Sequence, residues 1–281
     1  RSSLSTLRRG CYNAQEVGRH ANLFFYFGDL MKLVLVVGLK GGVGKTTTAV
    51  GLAKALNRIG FAVGVLDLDY RTPNVIEALG GNLTLGHTFE GNYLIPPEVD
   101  GIKAFSMSFI WPEGKSVQVK DQDAKDDVMH LLTENALEWG ELDYLIIDTP
   151  PTSVGVVQVA LETDLVAGAI VVSHASVFSR ADTLRTLDLF REKGVPLIGM
   201  VCNQVGIHDL EAEDMKLVSD AYGLPYFIAV PHERQQEKLA HYFDQVAVAV
   251  ETVPPVILEL PDLEGEAWKN LLLFSKLLNV K

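Results

Sequence analysis

The sequence is short of cysteine, of basic charge and of long apolar runs, and each shortage closes off a class of protein. Cys11 and Cys202 are the only cysteines in 281 residues. They stand far apart and in no paired-ligand spacing, so neither a disulfide framework nor a self-contained metal site is indicated, and a reducing, cytoplasmic setting fits. Basic side chains number 24 against 36 acidic ones, a net charge of −12. Residues 1–30 hold four basic and two acidic side chains, so the rest of the chain carries −14. Such a field repels a phosphodiester backbone, and no run of Lys or Arg offsets it, which argues against DNA as a partner. The apolar stretches 23–27 and 33–38 are separated by Asp29 and Lys32 and fall well short of the ~20 apolar residues that span a bilayer. Residues 1–30 also lack the uninterrupted apolar region of a secretory signal.

What is present is an ordinary globular balance, 48% hydrophobic and 21% charged, enough for one main domain. Residues 1–30 are Ser- and Arg-rich without clear periodicity. They read as an N-terminal extension, non-native or disordered, with a docked N-terminal helix as the alternative. From residue 33 short apolar runs alternate with longer amphipathic ones, the pattern of a parallel sheet covered by helices. Strands are expected at 33–37, 62–67, 103–109, 144–148, 167–172, 197–201 and 226–230. Helices are expected at 45–58, 124–139, 179–193, 209–222, 233–242 and 266–278. That order predicts an α/β fold, a mostly parallel twisted sheet of about seven strands with helices on both faces, binding ligands at the strands' carboxyl ends. Residues 85–116, rich in Gly and Pro, are the least regular part.

Directly after the first strand comes Gly38-Leu39-Lys40-Gly41-Gly42-Val43-Gly44-Lys45-Thr46-Thr47-Thr48, leading into a helical pattern. Glycines let a backbone wrap closely around an oxyanion with its N–H groups inward, and the following helix N-terminus adds partial positive charge. Lys45 is placed to reach the β- and γ-phosphates of a nucleotide, and the Thr46 hydroxyl to ligate Mg²⁺. Leu39 stands where the usual phosphate-loop pattern asks for glycine. The segment Lys40 to Thr46 resembles the deviant Walker A motif of the ParA/MinD/Mrp superfamily of ATPases, in which the position before the signature lysine varies. The resemblance implies that residues 31–281 form a P-loop ATPase domain of the SIMIBI kind, binding ATP and Mg²⁺ through Gly41, Gly42, Val43, Gly44, Lys45, Thr46 and Thr47. It also implies a homodimer bridged by ATP, in which Lys40 is the signature lysine crossing to the partner's nucleotide. A cation supplied in trans is worth on the order of 10³–10⁵ in rate for analogous arginine fingers.

The second strand ends Val65-Leu66-Asp67-Leu68-Asp69 and the fourth Ile146-Ile147-Asp148-Thr149-Pro150-Pro151. A carboxylate at a strand's carboxyl end opens onto the ligand crevice, whereas one buried in mid-strand is costly. By resemblance Asp69 lies in switch I and positions or activates the attacking water, Asp67 sits in the outer shell of the metal, and Asp148 is the Walker B residue holding Mg²⁺ through a water. The alternative for Asp69 is a cap on the short helix starting near Asn74. The stretch Trp139-Gly140-Glu141-Leu142-Asp143-Tyr144 resembles the Mrp branch in particular, but after Pro151 that branch places Gly-Thr-Gly-Asp where this chain has Thr152-Ser153-Val154-Gly155.

The strand at 197–201 runs into Cys202-Asn203-Gln204 and that at 226–230 into Pro231. In the resembled family an asparagine and a proline at these ends frame the adenine, which assigns Asn203 and Pro231 to the base. Mrp-type iron–sulfur carriers place a Cys-x-x-Cys pair soon after the asparagine, and here Val205 to Glu211 contains no cysteine. Iron–sulfur clusters need thiolates, so the carrier activity does not transfer with the resemblance, and an iron–sulfur or metal-cofactor assembly or carrier protein using ligands other than a paired cysteine motif is the alternative to an ATPase switch. His208 with Asp209 and Glu211 reads as a solvated helix start before it reads as a metal site, and Cys202 as a small buried residue. The tail 266–281 carries Trp268, Leu271, Leu272, Leu273, Phe274 and Leu277, an apolar surface wide enough to favour packing on the domain over the membrane contact of MinD-like positioning ATPases. The expected partners are a second copy and an unidentified protein or cofactor-assembly factor.

Overall fold

In the computed structural model, the residues described are 31–69, 72–82, 88–90, 93–109, 137–151, 157, 160, 166–207, 210–233 and 235–259. Seven parallel strands form the centre: β1 (Lys32–Val37), β2 (Val63–Asp67), β6 (Ile102–Ser106), β7 (Tyr144–Asp148), β8 (Val166–His174), β9 (Pro196–Val205) and β10 (Phe227–Pro231). Two short antiparallel strands, β5 (Glu98–Val99) and β11 (Val256–Ile257), complete a nine-stranded sheet in the order β10-β9-β8-β1-β7-β2-β6-β5, with β11 against the start of β9. A separate hairpin joins β3 (Thr88–Glu90) to β4 (Tyr93–Ile95). All seven expected strands are present. The short antiparallel pieces are too brief to show a period of two.

Alternation along β1 builds both layers of the core. Leu33, Leu35 and Val37 join one apolar cluster with Leu187 and Phe190 of α3 (Val177–Lys193) and with Met215 and Val218 of α4 (Ala212–Ala221). Val34 and Val36 face the other way, onto Ala49, Leu52 and Leu56 of α1 (Lys45–Arg58), onto α2 (Val75–Leu79) and onto Phe243 and Val246 of α5 (Ala240–Thr252). Successive strand side chains point to opposite faces, so a continuous apolar run is the signature of a strand buried on both.

Three expectations are corrected. The strand expected at 103–109 ends at Ser106 and gives way to a 3₁₀ turn at Met107–Phe109. The helix expected at 233–242 is a 3₁₀ turn at Gln236–Leu239 followed by α5, which runs ten residues further because Phe243, Val246, Ala247, Ala249 and Val250 bury against the sheet. The helix expected at 124–139 lies largely outside the described residues, but its end is not helical: Leu137 bridges to Leu94, and Trp139 is buried in the core. Residues 1–30, the acidic run 121–127, Thr152 to Gly155, His208, Asp209 and the tail 266–281 also lie outside the described residues.

Candidate functional site

The carboxyl ends of β1, β2, β7, β8 and β9 converge on the loop that precedes α1. Gly44 stands at the N-terminal boundary of α1 with φ +95°, and Gly42 has φ +77°. Both lie in the left-handed region that only glycine enters cheaply. A Cβ on Gly44 would fall 1.9 Å from Asn203 Nδ2, so the loop and the end of β9 are in direct contact there.

Lys45 is 7% exposed and its ammonium donates to the Lys40 carbonyl at 3.3 Å. Burial lowers its pKa, opposed by the nearby charges of Asp148 and Asp69. The Thr46 hydroxyl donates to Asp148 Oδ2 at 2.6 Å, across the β1–β7 pairing. Asp148 is buried, and its Oδ1 has no hydrogen-bond partner among the described residues. An ionised oxygen left buried and unpaired is costly. Burial accordingly pushes the Asp148 carboxyl up to about 7, against the Thr46 hydrogen bond and the charge of Lys45. This donor set fits a hydrated Mg²⁺: a hydroxyl, a carboxylate and an unfilled carboxylate oxygen beside a buried ammonium.

Asp67 lies beside Asp148 in register between β2 and β7. Its oxygens accept from the backbone N–H groups of Asp69 at 3.0 Å, Asn74 at 3.1 Å and Val75 at 3.3 Å, and from Ser106 Oγ at 3.1 Å. Asp67, then, is what satisfies the start of α2 and shapes the chain between. Asp69 spends its carboxylate on Thr72, accepting from the backbone N–H at 3.1 Å and the hydroxyl at 3.0 Å. It is half-buried and close enough to Lys45 and Asp148 to perturb both.

Burial first, and then the Asp148 charge, push Asp67 up to about 8. Asp67 and Asp148 therefore hold their protons more tightly in the folded chain than at the ordinary value of 3.8. Between that value and the folded ones the native state binds more protons than the unfolded state, so stability falls as pH rises. The contribution is fully present below pH 3.8 and is lost as pH climbs through about 7 for Asp148 and about 8 for Asp67. Urea midpoints of the nucleotide-free protein should decline across that window, and Asp148→Asn should flatten the decline. A midpoint that rises with pH over the same range, unchanged in Asp148→Asn, would contradict the assignment.

Of the residues assigned to the base, Asn203 is buried and donates its amide to the Val43 carbonyl at 3.0 Å, while Pro231 lies on the adjacent strand opposite Val205. Lys40 keeps its ammonium 3.5 Å from Ser179 Oγ, whose hydroxyl sits against the His174 ring. Ser106, Ser179 and Gln204 are thus parts of the site that sequence reasoning missed. Gln204 carried a signal, its place directly after Asn203. Cys202 is fully buried and its thiol is pushed up to about 12 by burial, then by Glu213. No helix among the described residues is long and apolar enough to cross a membrane.

Residues 29–230 match the family model ParA, described as an NUBPL iron-transfer P-loop NTPase. The iron–sulfur cluster carrier protein of Deinococcus radiodurans is 36% identical over 192 residues, covering 68% of this chain and 53% of that protein. Its counterpart in Rickettsia typhi is 31% identical over 203 residues, covering 72% of this chain and 62% of that protein. The chain thus spans between about half and two thirds of the length of these relatives. Among solved structures, a nucleotide-binding protein from Archaeoglobus fulgidus in complex with ADP aligns with a TM-score of 0.62 at 22% identity, over 82% of this chain and 95% of that one. The septum site-determining protein MinD from Pyrococcus horikoshii, complexed with Mg-ADP, aligns with a TM-score of 0.52 at 17% identity, over 79% and 94%. These two likenesses carry the fold.

Proposed function

The chain belongs to the ParA/MinD/Mrp family of P-loop NTPases, and from that premise we propose that it is a Mg-dependent ATPase working as a nucleotide-gated homodimer. The observation that carries the proposal is the Thr46–Asp148 pair with its unfilled buried oxygen, set beside the buried ammonium of Lys45 at the start of α1. Thr46 and Asp148 would hold Mg²⁺, which when bound neutralises charge on the β- and γ-phosphates. Lys45 supplies the second positive charge from within the loop. Asp69 accepts the proton of the attacking water as it adds to the γ-phosphorus, releasing ADP and phosphate. Asp67 works at one remove, holding Asp69 and the residues after it in place through backbone N–H groups. Lys40 leaves Ser179 and crosses to the nucleotide of the second subunit.

Lys45→Ala tests the nucleotide site. Losing a charge-assisted contact costs about 1.5–3 kcal/mol, so calorimetry should show ATP affinity reduced roughly ten- to a hundredfold. Wild-type affinity in that variant would remove the basis of the proposal.

A second reading, carriage of an iron–sulfur cluster as cargo, is favoured by the relatives' names. Cluster iron takes thiolate ligands, and Cys202, buried with a raised pKa, is ill suited to supply one. Under this reading the cargo sits on ligands other than Cys202. Anaerobic reconstitution followed by visible absorption should then load wild type and Cys202→Ala equally, and no loading of either speaks for the ATPase switch alone.

A further inference from the structure

Among the described residues two non-glycines have positive φ, Asp100 at +50° and Gln204 at +56°. Asp100 is explained by its turn: with Gly101 it forms the two-residue connection of the β5–β6 hairpin, where such backbone angles are the rule. Gln204 lies inside β9 and has no turn to explain it. Strain of this kind persists only where the surroundings enforce it, and it concentrates at functional sites.

The pairing of β9 with β10 shows what the strain achieves. Ala229 opposes Cys202 and Pro231 opposes Val205, so β9 carries one residue more than its partner across this interval, a β-bulge holding Asn203 and Gln204. In a regular strand consecutive side chains point to opposite faces. A bulge can re-aim one of them. Here both reach the phosphate loop: Asn203 Nδ2 donates to the Val43 carbonyl at 3.0 Å and Gln204 Nε2 to the Gly42 carbonyl at 3.3 Å.

Those two carbonyls decide where two amides point. In a planar trans peptide the C=O of one residue and the N–H of the next are directed oppositely. Drawing the Gly42 carbonyl toward Gln204 turns the Val43 N–H away from it, and drawing the Val43 carbonyl toward Asn203 does the same for the Gly44 N–H. The Lys45 ammonium on the Lys40 carbonyl acts likewise on the Gly41 N–H. We propose that Gln204 is a positioning residue for the phosphate loop, its strained backbone holding the side chain where it orients the Val43 amide for a phosphate. The proposal rests on the nucleotide reading above for its ligand, but the clamp itself exists without nucleotide.

Gln204→Gly removes the amide and relieves the backbone in one change, so a clamp predicts opposite signs for two measurements. The thermal midpoint should rise, because glycine enters the left-handed region without penalty, while ATP affinity by calorimetry falls about two- to tenfold with the loss of one neutral hydrogen bond. Gln204→Asn, which tolerates the backbone but is one methylene too short to reach Gly42, should weaken ATP in the same way without losing stability. Residue-resolved amide exchange on the nucleotide-free protein should show a changed rate at Val43 in both variants. Affinity and stability falling together would mark a purely structural residue and overturn the proposal, as would wild-type affinity with unchanged Val43 exchange. If wild type bound no ATP, the nucleotide reading would fail by itself, and the exchange measurement would still decide the clamp.

Discussion

Gly44→Ala is expected to abolish useful nucleotide binding while leaving the sheet folded. The new methyl group would lie 1.9 Å from Asn203 Nδ2, at a residue whose φ of +95° already disfavours any side chain. The left-handed backbone costs about 1–3 kcal/mol, and the overlap is relieved only if Asn203 or the loop moves. Either movement releases the Val43 carbonyl and with it the orientation of the Gly44 amide. Binding phosphate then has to restore that strained backbone as well as the contact of this one amide, worth about 1.5–3 kcal/mol, which together amount to about 10²–10⁴ in affinity. Calorimetry with ATP and Mg²⁺ checks the loss, and far-UV circular dichroism checks that the fold survives. Affinity within a few-fold of wild type would mean that phosphate is bound elsewhere.

Asp69→Ala should separate binding from turnover. Asp69 accepts hydrogen bonds from Thr72, and the Thr46–Asp148 and Lys45–Lys40 contacts are made without it. The parts proposed to bind phosphate and Mg²⁺ are therefore expected to survive its removal. A group that takes a proton in the transition state contributes about 10²–10⁴ in rate, and its loss lowers kcat without raising KM in proportion. Phosphate release should drop by that factor while ATP affinity stays near wild type. Normal phosphate release would remove Asp69 from the reaction.

The parts of this fold that were legible in the sequence are those where one physical requirement acts alone. Strands buried on both faces, β1, β2 and β7 above all, had to be near-continuous apolar runs, and they were found as such. A loop that closes on an anion needs Gly42 and Gly44 at positive φ followed by Lys45 and Thr46, a pattern that few other structures demand. Less legible was α5, because Val246, Val248 and Val250 are β-branched, and packing of Val246 and Val250 on the sheet overrides the weak helix preference of such residues. At the site, the sequence located Asp67 without revealing its task. Three of its four donors, at residues 69, 74 and 75, converge on it only through the path the chain takes after β2, and the fourth, Ser106, arrives only through the β2–β6 pairing. Gln204 was hidden for a related reason, since a β-bulge depends on the count of residues in two paired strands.

The central claim is that two subunits complete each other's sites, and mixing two inactive variants tests it most directly. Lys40→Ala lacks the lysine for its partner's nucleotide, and Asp69→Ala lacks the carboxylate for its own. In the heterodimer one site joins an intact Asp69 to an intact Lys40 from the other subunit. A one-to-one mixture should regain about a quarter of the wild-type phosphate release, since about half the dimers are mixed and each has one competent site of two. No recovery, with heterodimers demonstrated by mass, would place Lys40 in its own subunit's site and contradict the nucleotide-gated dimer.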